Sequence, residues 1–273
     1  MHKQPEGIAE GIYYDLSADE YHADPALSST GLKKLLRNPL EYWDSSPLNP
    51  DREQLDTLAL KNGRAFHTML LEPEKFASEF AIKPNCKTTT VKGMIGEGDY
   101  NDMLGAATVI KQSPFLSNLC EGGRPEVSVF WRDDETGIMC RARFDYLHPE
   151  WAIDYKTTTD ISKDKLAYTV ADYGYDISAA MYMEGLRKAR EMGVYQDSGH
   201  NDFILLFQSK KRPYIPRALL LSDKLLEIGL SQFRLGLWIY KENIEKYGVG
   251  PWSAGYDTVE DLLIDEMPYK YKQ

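Results

Sequence analysis

The sequence predicts an α/β domain in which helices flank one central mixed β-sheet. Three observations lead there. Helix-period apolar stripes dominate the first 113 residues, and strand-like runs follow between residues 124 and 158. A long helical pattern, two more strand runs and a second long helix then complete the chain. At 273 residues the chain is long enough to bury a sizeable core, and one domain over 1–273 is expected. Hydrophobic content of 42% with 12% aromatics excludes disorder over most of its length.

Taken in order, "LSSTGLKKLLRNPLEYW" reads as a short helix. Ser29 or Thr30 caps it, Leu32, Leu35 and Leu36 form its stripe, and Pro39 stops it. "LDTLALKNGRAFHTMLLEP" is a second helix, ended by Pro73. Residues 84–101 are rich in Gly, Thr and Lys and are expected as a mobile loop. "DMLGAATVIKQSPF" is a helix that closes before Pro114. The period then shortens: "PEVSVFWR", "GIMCRARFDYL" and "WAIDYK" read as consecutive strands. A helix from about Asp172 to Met192 carries Ala179, Tyr182, Met183 and Leu186 on one face. "DFILLFQS" and "YIPRALLLS" are strands, and "DKLLEIGLSQFRLGLWIYKENIEKYG" is a long amphipathic helix. The aromatic and acidic segment after Gly250 is left unassigned.

Composition narrows the function classes. No apolar run reaches the ~18 residues that cross a bilayer, and the opening residues lack a secretory apolar stretch, so a cytoplasmic protein without membrane contact is expected. Cys86, Cys120 and Cys140 are far apart with no C-x-x-C, which argues against a zinc site or a disulfide framework. A net charge of −10 speaks against a chain coated in nucleic acid. The acids are unevenly placed, however, with a cluster at 257–266. Basic strips stand at Lys33, Lys34 and Arg37, at Lys83, Lys87 and Lys92, and at Lys210, Lys211, Arg212 and Arg217. One groove can still grip a polyanion.

The candidate chemistry lies in "CRARFDYLHPEWAIDYKTTT", residues 140–159. Alternate strand residues share a face, so Asp154 and Lys156 point the same way, ~6.6 Å apart. Arg141, Arg143 and Asp145 share a face of the preceding strand. If the two strands pair through "LHPE", Asp145 and Asp154 lie close across the ladder. Two carboxylates within ~5 Å repel unless a proton or cation sits between them, and an oxygen ligand set suits Mg²⁺ or Mn²⁺. On that reasoning Asp154→Ala relieves repulsion and raises thermal stability in metal-free buffer. The plainer alternative is a surface salt bridge at a solvated strand end. Lys156 is the one lysine with an acid two positions before it, but that triplet alone proves little.

An acid followed by D-x-K resembles the PD-(D/E)xK nuclease superfamily, which has a restriction-endonuclease-like core. Three further segments extend the likeness. "DLSADEYHADPALSSTGLKKLLRNPLEYW" resembles an N-terminal segment with a tyrosine–histidine pair before a serine-led helix. "NGRAFHTMLLEPEKF" resembles the helix bearing a motif histidine, here His67, and "RPEVSVFW" the strand bearing a motif glutamate, here Glu126. With "ARFDYL" and "AIDYKTT" they resemble, in order, the exodeoxyribonuclease VIII group of phage recombination exonucleases. The likeness covers residues 12–192, with 193–273 expected to complete the fold.

The resemblance implies a role for each position. Asp145 and Asp154 are the main metal ligands, with His67, Glu126 and the backbone carbonyl of Tyr155 beside them. Glu126 binds a second metal or orients the attacking water, and Lys156 lowers that water's pKa or neutralises charge on phosphorus. Ser29, Lys33 and Arg37 are candidate DNA phosphate contacts, with Ser178 and Tyr182 near the substrate strand. The sequence departs from the pattern at Ser178, where glutamine is usual. The plain readings stay open: His67 as a hydrogen-bonded core histidine, Glu126 as a solvent-facing acid, and the basic residues as a solvated helix face. The implied activity is a Mg²⁺-dependent exonuclease, with Mn²⁺ able to substitute. It digests one strand of linear duplex DNA 5′→3′ and leaves a 3′ overhang for a single-strand annealing protein, in the cytoplasm of a phage or prophage host. A homo-oligomeric ring reconciles an acidic exterior with a basic channel. The alternatives are a DNA-binding accessory protein without turnover, or a nuclease selective for single strands or branched structures.

Overall fold

A computed structural model describes residues 2–53, 57–197 and 202–255. The acidic cluster at 257–266 lies outside the described residues. In chain order the elements are β1 (Gly11–Tyr13), α1 (Ala18–Ala23), β2 (Leu27–Ser28), α2 (Ser29–Arg37), α3 (Pro39–Ser45), α4 (Leu58–Leu71), α5 (Pro73–Glu79), β3 (Ala81–Lys83), β4 (Met94–Gly96), α6 (Glu97–Gln112) and α7 (Pro114–Leu119). They continue with β5 (Arg124–Arg132), β6 (Met139–Leu147), β7 (Trp151–Thr158), α8 (Lys163–Asp172), α9 (Tyr175–Glu191), β8 (Asp202–Ser209), β9 (Pro216–Leu220) and α10 (Asp223–Tyr247).

Among the described residues, seven strands form the main sheet in the order β1-β5-β6-β7-β8-β9, with β2 paired to β6, and β3 and β4 make a small separate ribbon. β5, β6 and β7 are antiparallel neighbours, whereas β7 and β8 run parallel. That parallel pair needs a crossover, which α8 and α9 supply. The sheet is therefore mixed, with helices on both faces.

Each face buries its own apolar set. Leu32 and Leu35 of α2, Tyr42 of α3, Met181 and Leu186 of α9, and Phe233, Leu237 and Tyr240 of α10 pack against Val127, Val129, Phe144, Ala152 and Leu205. Across the sheet, Phe66, Met69 and Leu70 of α4 and Met103, Ala107 and Ile110 of α6 cover Tyr146, Ile153, Tyr155 and Leu206. β7 is thus buried on both sides, which accounts for its short, nearly continuous apolar run. The α10 stripe recurs at helical spacing, and each fully buried side chain in it contributes about 1.5–3 kcal/mol. α10 crosses α9 closely because residue 229 is glycine: a Cβ there would stand 2.3 Å from the Asp176 carbonyl oxygen.

Several expectations from the sequence are corrected. The α2 cap is Ser28, whose side chain accepts from Gly31 N, while Ser29 is already helical. Pro39 and Pro73 do not merely end helices; each opens the next one at its first position, where a missing N–H costs nothing. The segment 84–101 is not a free loop. It holds β4 and the first turn of α6, and the buried Lys61 ammonium donates to the carbonyls of Thr89, Val91 and Met94. The 172–192 helix begins at Tyr175, because Gly174 in the left-handed region separates it from α8. The two-residue β2 and three-residue β1 were too short to show a period.

Candidate metal and catalytic site

The site forms where the sheet opens. β5 pairs with β6 on both sides of Glu126, through Pro125↔Tyr146 and Val127↔Phe144, so Glu126 stands opposite Asp145. Glu126 has φ +54°, a left-handed conformation that costs a non-glycine residue energy and that clusters at functional sites. On the other side, β6 pairs with β7 only through Tyr146↔Ile153 and Leu147↔Ala152. Beyond that point Asp145 replaces the ladder, since its Oδ2 accepts from the Tyr155 N–H at 2.7 Å. Asp145 therefore sits at a fork, with Glu126 on one side and Asp154 on the other.

α4 brings His67 into this fork, its Nδ1 3.4 Å from Asp145 Oδ2. One ligand atom each from His67, Glu126 and Asp145 lie within 4.8 Å of one another. An imidazole nitrogen and two carboxylates converging in this way form a donor set suited to a divalent cation, so these residues fit a metal. Asp154 stands one step aside. Its Oδ1 accepts from Lys156 Nζ at 2.6 Å, and the same ammonium is 3.9 Å from Asp145 Oδ2. The cation expected between the two acids is thus, in the protein's own structure, Lys156.

The electrostatics follow from burial and these neighbours. Burial disfavours the Asp145 anion, but His67, Lys156 and the Tyr155 N–H outweigh it and hold the carboxyl down at about 2. Burial dominates at Asp154 and, with the Asp145 charge, raises it despite Lys156. Glu126 is raised for similar reasons, by burial and by Asp145, although Arg143 Nε donates to it at 2.5 Å. Lys156 is desolvated, yet Asp154 and Asp145 more than offset that and keep it protonated. For His67 burial pulls down and Asp145 pulls up, with a net rise.

The remaining predicted residues divide. Lys33 of α2 donates to Ser178 Oγ at 2.9 Å, and burial lowers its ammonium to about 8 in spite of Asp154 nearby. Ser178 is therefore the short acceptor that holds Lys33, which gives the departure at that position a physical role. Ser29 is buried against the half-buried Tyr182, whose ring packs edge-on to Phe144 and Phe203. Tyr182 braces the core beneath the site. Arg37 lies outside this cluster, exposed and paired with Glu41 at 2.6 Å. The Tyr155 side chain turns to the opposite face and donates to Gln208 Oε1 at 2.6 Å, leaving its backbone at the fork.

Two residues near the site escaped the sequence reading. Arg143 orients Glu126 and also donates to the carbonyls of Leu16 and Ser17, tying the N-terminal segment to the fork. Its place on the Asp145 face was the available signal. Tyr175 lies with its ring 5.6 Å from both Lys156 Nζ and Lys33 Nζ. The aromatic pair around glycine in "DYGYD" was the signal there.

Comparison with known proteins agrees with this fold. Residues 28–255 match the family model described as "PDDEXK-like domain of unknown function (DUF3799)". The chain belongs to the PDDEXK-like family. The match spans every element that builds the fork, from α2 to α10. No curated protein matches the chain. Among solved structures, one from Eubacterium rectale called "Putative exonuclease" is similar with a TM-score of 0.62 at 17% identity, over 92% of this chain and 96% of that one. At that identity the likeness carries the fold. The central mixed sheet flanked by helices agrees with membership of the PDDEXK-like family. No helix among the described residues is long and apolar enough to cross a membrane.

Proposed function

We propose that the protein is a Mg²⁺-dependent exodeoxyribonuclease that digests one strand of linear duplex DNA, 5′→3′. The observation that carries this reading is the convergence of His67, Glu126 and Asp145 beside the Lys156–Asp154 pair. His67, Glu126 and Asp145 would hold the ion, with Asp154 joining as Lys156 shifts toward substrate and the Tyr155 carbonyl as a neutral ligand. A bound divalent ion supplies charge that stabilises the attacked phosphodiester and makes its water a better nucleophile.

The chain's own groups do the rest. Lys156 stays protonated and places a fixed positive charge where negative charge grows on phosphorus. Arg143 holds Glu126 in one orientation beside His67 and Asp145. Lys33, seated on Ser178, adds a cation one helix away for the adjoining phosphate. A phosphodiester needs little covalent help from the protein, so positioning and charge account for most of the catalysis.

The 3′ overhang left by such digestion suits a single-strand annealing protein, and a ring of identical subunits suits processive digestion by an acidic chain. Incubation of a linear duplex, a nicked circle and a single strand with Mg²⁺ tests the reading. Loss of the linear duplex alone supports it, with end-labelled strands giving the polarity. Equal loss of the nicked circle, or no loss of any substrate, overturns it.

A further inference from the structure

Beside the site stands an aromatic pair, Tyr173 and Tyr175, that has no part in holding the ion or the phosphate. Tyr175 opens α9, and its ring lies 5.6 Å from the ammonium groups of both Lys156 and Lys33. On its outer side Tyr173 stacks against it, centroids 5.8 Å apart and planes within 17°. Tyr175 is braced from within by Phe207 at 6.1 Å, whereas Tyr173 is 63% exposed. A large aromatic ring that faces water while backed by a second ring is poorly explained by core packing.

The backbone between the two rings is built for this placement. Gly174 adopts φ +57°, ψ +47°, which allows α8 and α9 to meet across two residues, Tyr173 and Gly174, and brings Tyr173 and Tyr175 onto one side. A Cβ at Gly174 would lie 2.9 Å from Lys33 Cδ and 3.1 Å from Ile177 Cδ1. The same glycine therefore fixes the stacking pair and leaves room for the Lys33 side chain. Cations and aromatics are interleaved in the order Lys156 and Lys33, then Tyr175, then Tyr173, then solvent.

That order matches the chemistry of a nucleotide, with an anionic phosphate at one end and a flat π-surface at the other. We infer that Tyr173 and Tyr175 form a stacking platform for the base of the nucleotide whose phosphate is drawn to Lys156 and Lys33. This inference rests on the nuclease reading for the identity of the ligand. Stacking is sequence-tolerant, because every base offers a π-face, so the platform holds a strand end without selecting its sequence. It also gives an acidic protein a local grip that does not depend on net charge. Tyr173 is thus a substrate-positioning residue, and Tyr175 transmits its position to Lys156.

The test uses duplex DNA carrying 2-aminopurine at the terminal 5′ base, with an interior-labelled duplex as control, mixed with the full chain in Ca²⁺ in place of Mg²⁺. Stacking on Tyr173 is expected to quench the terminal probe and leave the interior one unchanged. Tyr173→Ala should abolish that quenching and weaken binding roughly five- to a hundred-fold. Tyr173→Phe should restore both, since it keeps the ring. In Mg²⁺ the alanine variant should show raised KM with kcat nearly kept. A Tyr173→Ala protein that quenches and binds like the wild type overturns the platform while leaving the nuclease reading intact. Ring-dependent quenching by a wild-type chain that never cleaves overturns the nuclease reading and leaves the platform standing. Failure of the wild type to bind duplex DNA overturns both.

Discussion

Replacing Lys156 by methionine keeps the side chain's shape and removes its charge. In the metal-free protein that charge lies 2.6 Å from Asp154 and 3.9 Å from Asp145, whose side chains are 9% and 16% exposed. Stripping the cation from a buried pair costs about 3–5 kcal/mol, because a desolvated carboxylate is left uncompensated. With the lysine side chain 26% exposed, solvent screening brings the expected loss to about 2–4 kcal/mol. Unfolding entropy of ~2.1 cal/mol/K per residue over 273 residues is about 0.57 kcal/mol/K, so the melting temperature should fall by about 4–7 °C. Thermal unfolding in EDTA at neutral pH measures it. Acidification should narrow the gap, since Asp154 is already held above the ordinary carboxylate range and its protonation removes the stranded charge. Mg²⁺ should raise the melting temperature more in the variant than in the wild type, because an ammonium no longer repels the ion. A variant that melts with the wild type in EDTA refutes this account of the fork. The geometry also reverses the expectation that Asp154→Ala stabilises the metal-free protein. Lys156 already separates the acids, so removing Asp154 deprives the ammonium of its closest partner and should lower the melting temperature.

Asp145→Asn and His67→Ala should each reduce cleavage of a linear duplex by at least about 10²–10³-fold with the fold retained, as judged by initial rates and circular dichroism. Lys33 supplies a pH signature. Its folded pKa of about 8 lies below the 10.5 of the exposed group, so the unfolded chain binds more protons between those values and stability rises with pH there. Lys33→Met should lack that rise, and parallel pH–stability curves for the two proteins would refute the burial of Lys33. Lys61→Met leaves the carbonyls of Thr89, Val91 and Met94 without their donor, at a cost of about 1–3 kcal/mol. Hydrogen exchange should then accelerate across 87–96 while the central sheet stays protected.

Much of the fold was legible because its signals are local. The strands β5, β6 and β7 and the helix α10 each bury an apolar set at a period that the sequence repeats, so their type and approximate limits follow from spacing. Two of the differences have a clear physical cause. Pro39 and Pro73 stop one helix and start another, and proline satisfies both roles equally well in a linear reading. The 84–101 segment has loop composition, yet a lysine from α4, distant in sequence, pins it through three carbonyls.

The candidate site shows the same division. That Asp145, Asp154 and Lys156 stand on neighbouring strands was determined by the sequence alone, since strand alternation and a short turn follow from residue order, although both strands run on past them. Only the tertiary structure decided that His67 and Glu126 reach Asp145, that Asp154 turns instead to Lys156, and that Tyr173 and Tyr175 stack beside Lys156. These depend on where β6 and β7 part and on how α4, α2 and α9 approach across the sheet. Such approaches are set by packing between residues far apart in the chain, and no local period records them.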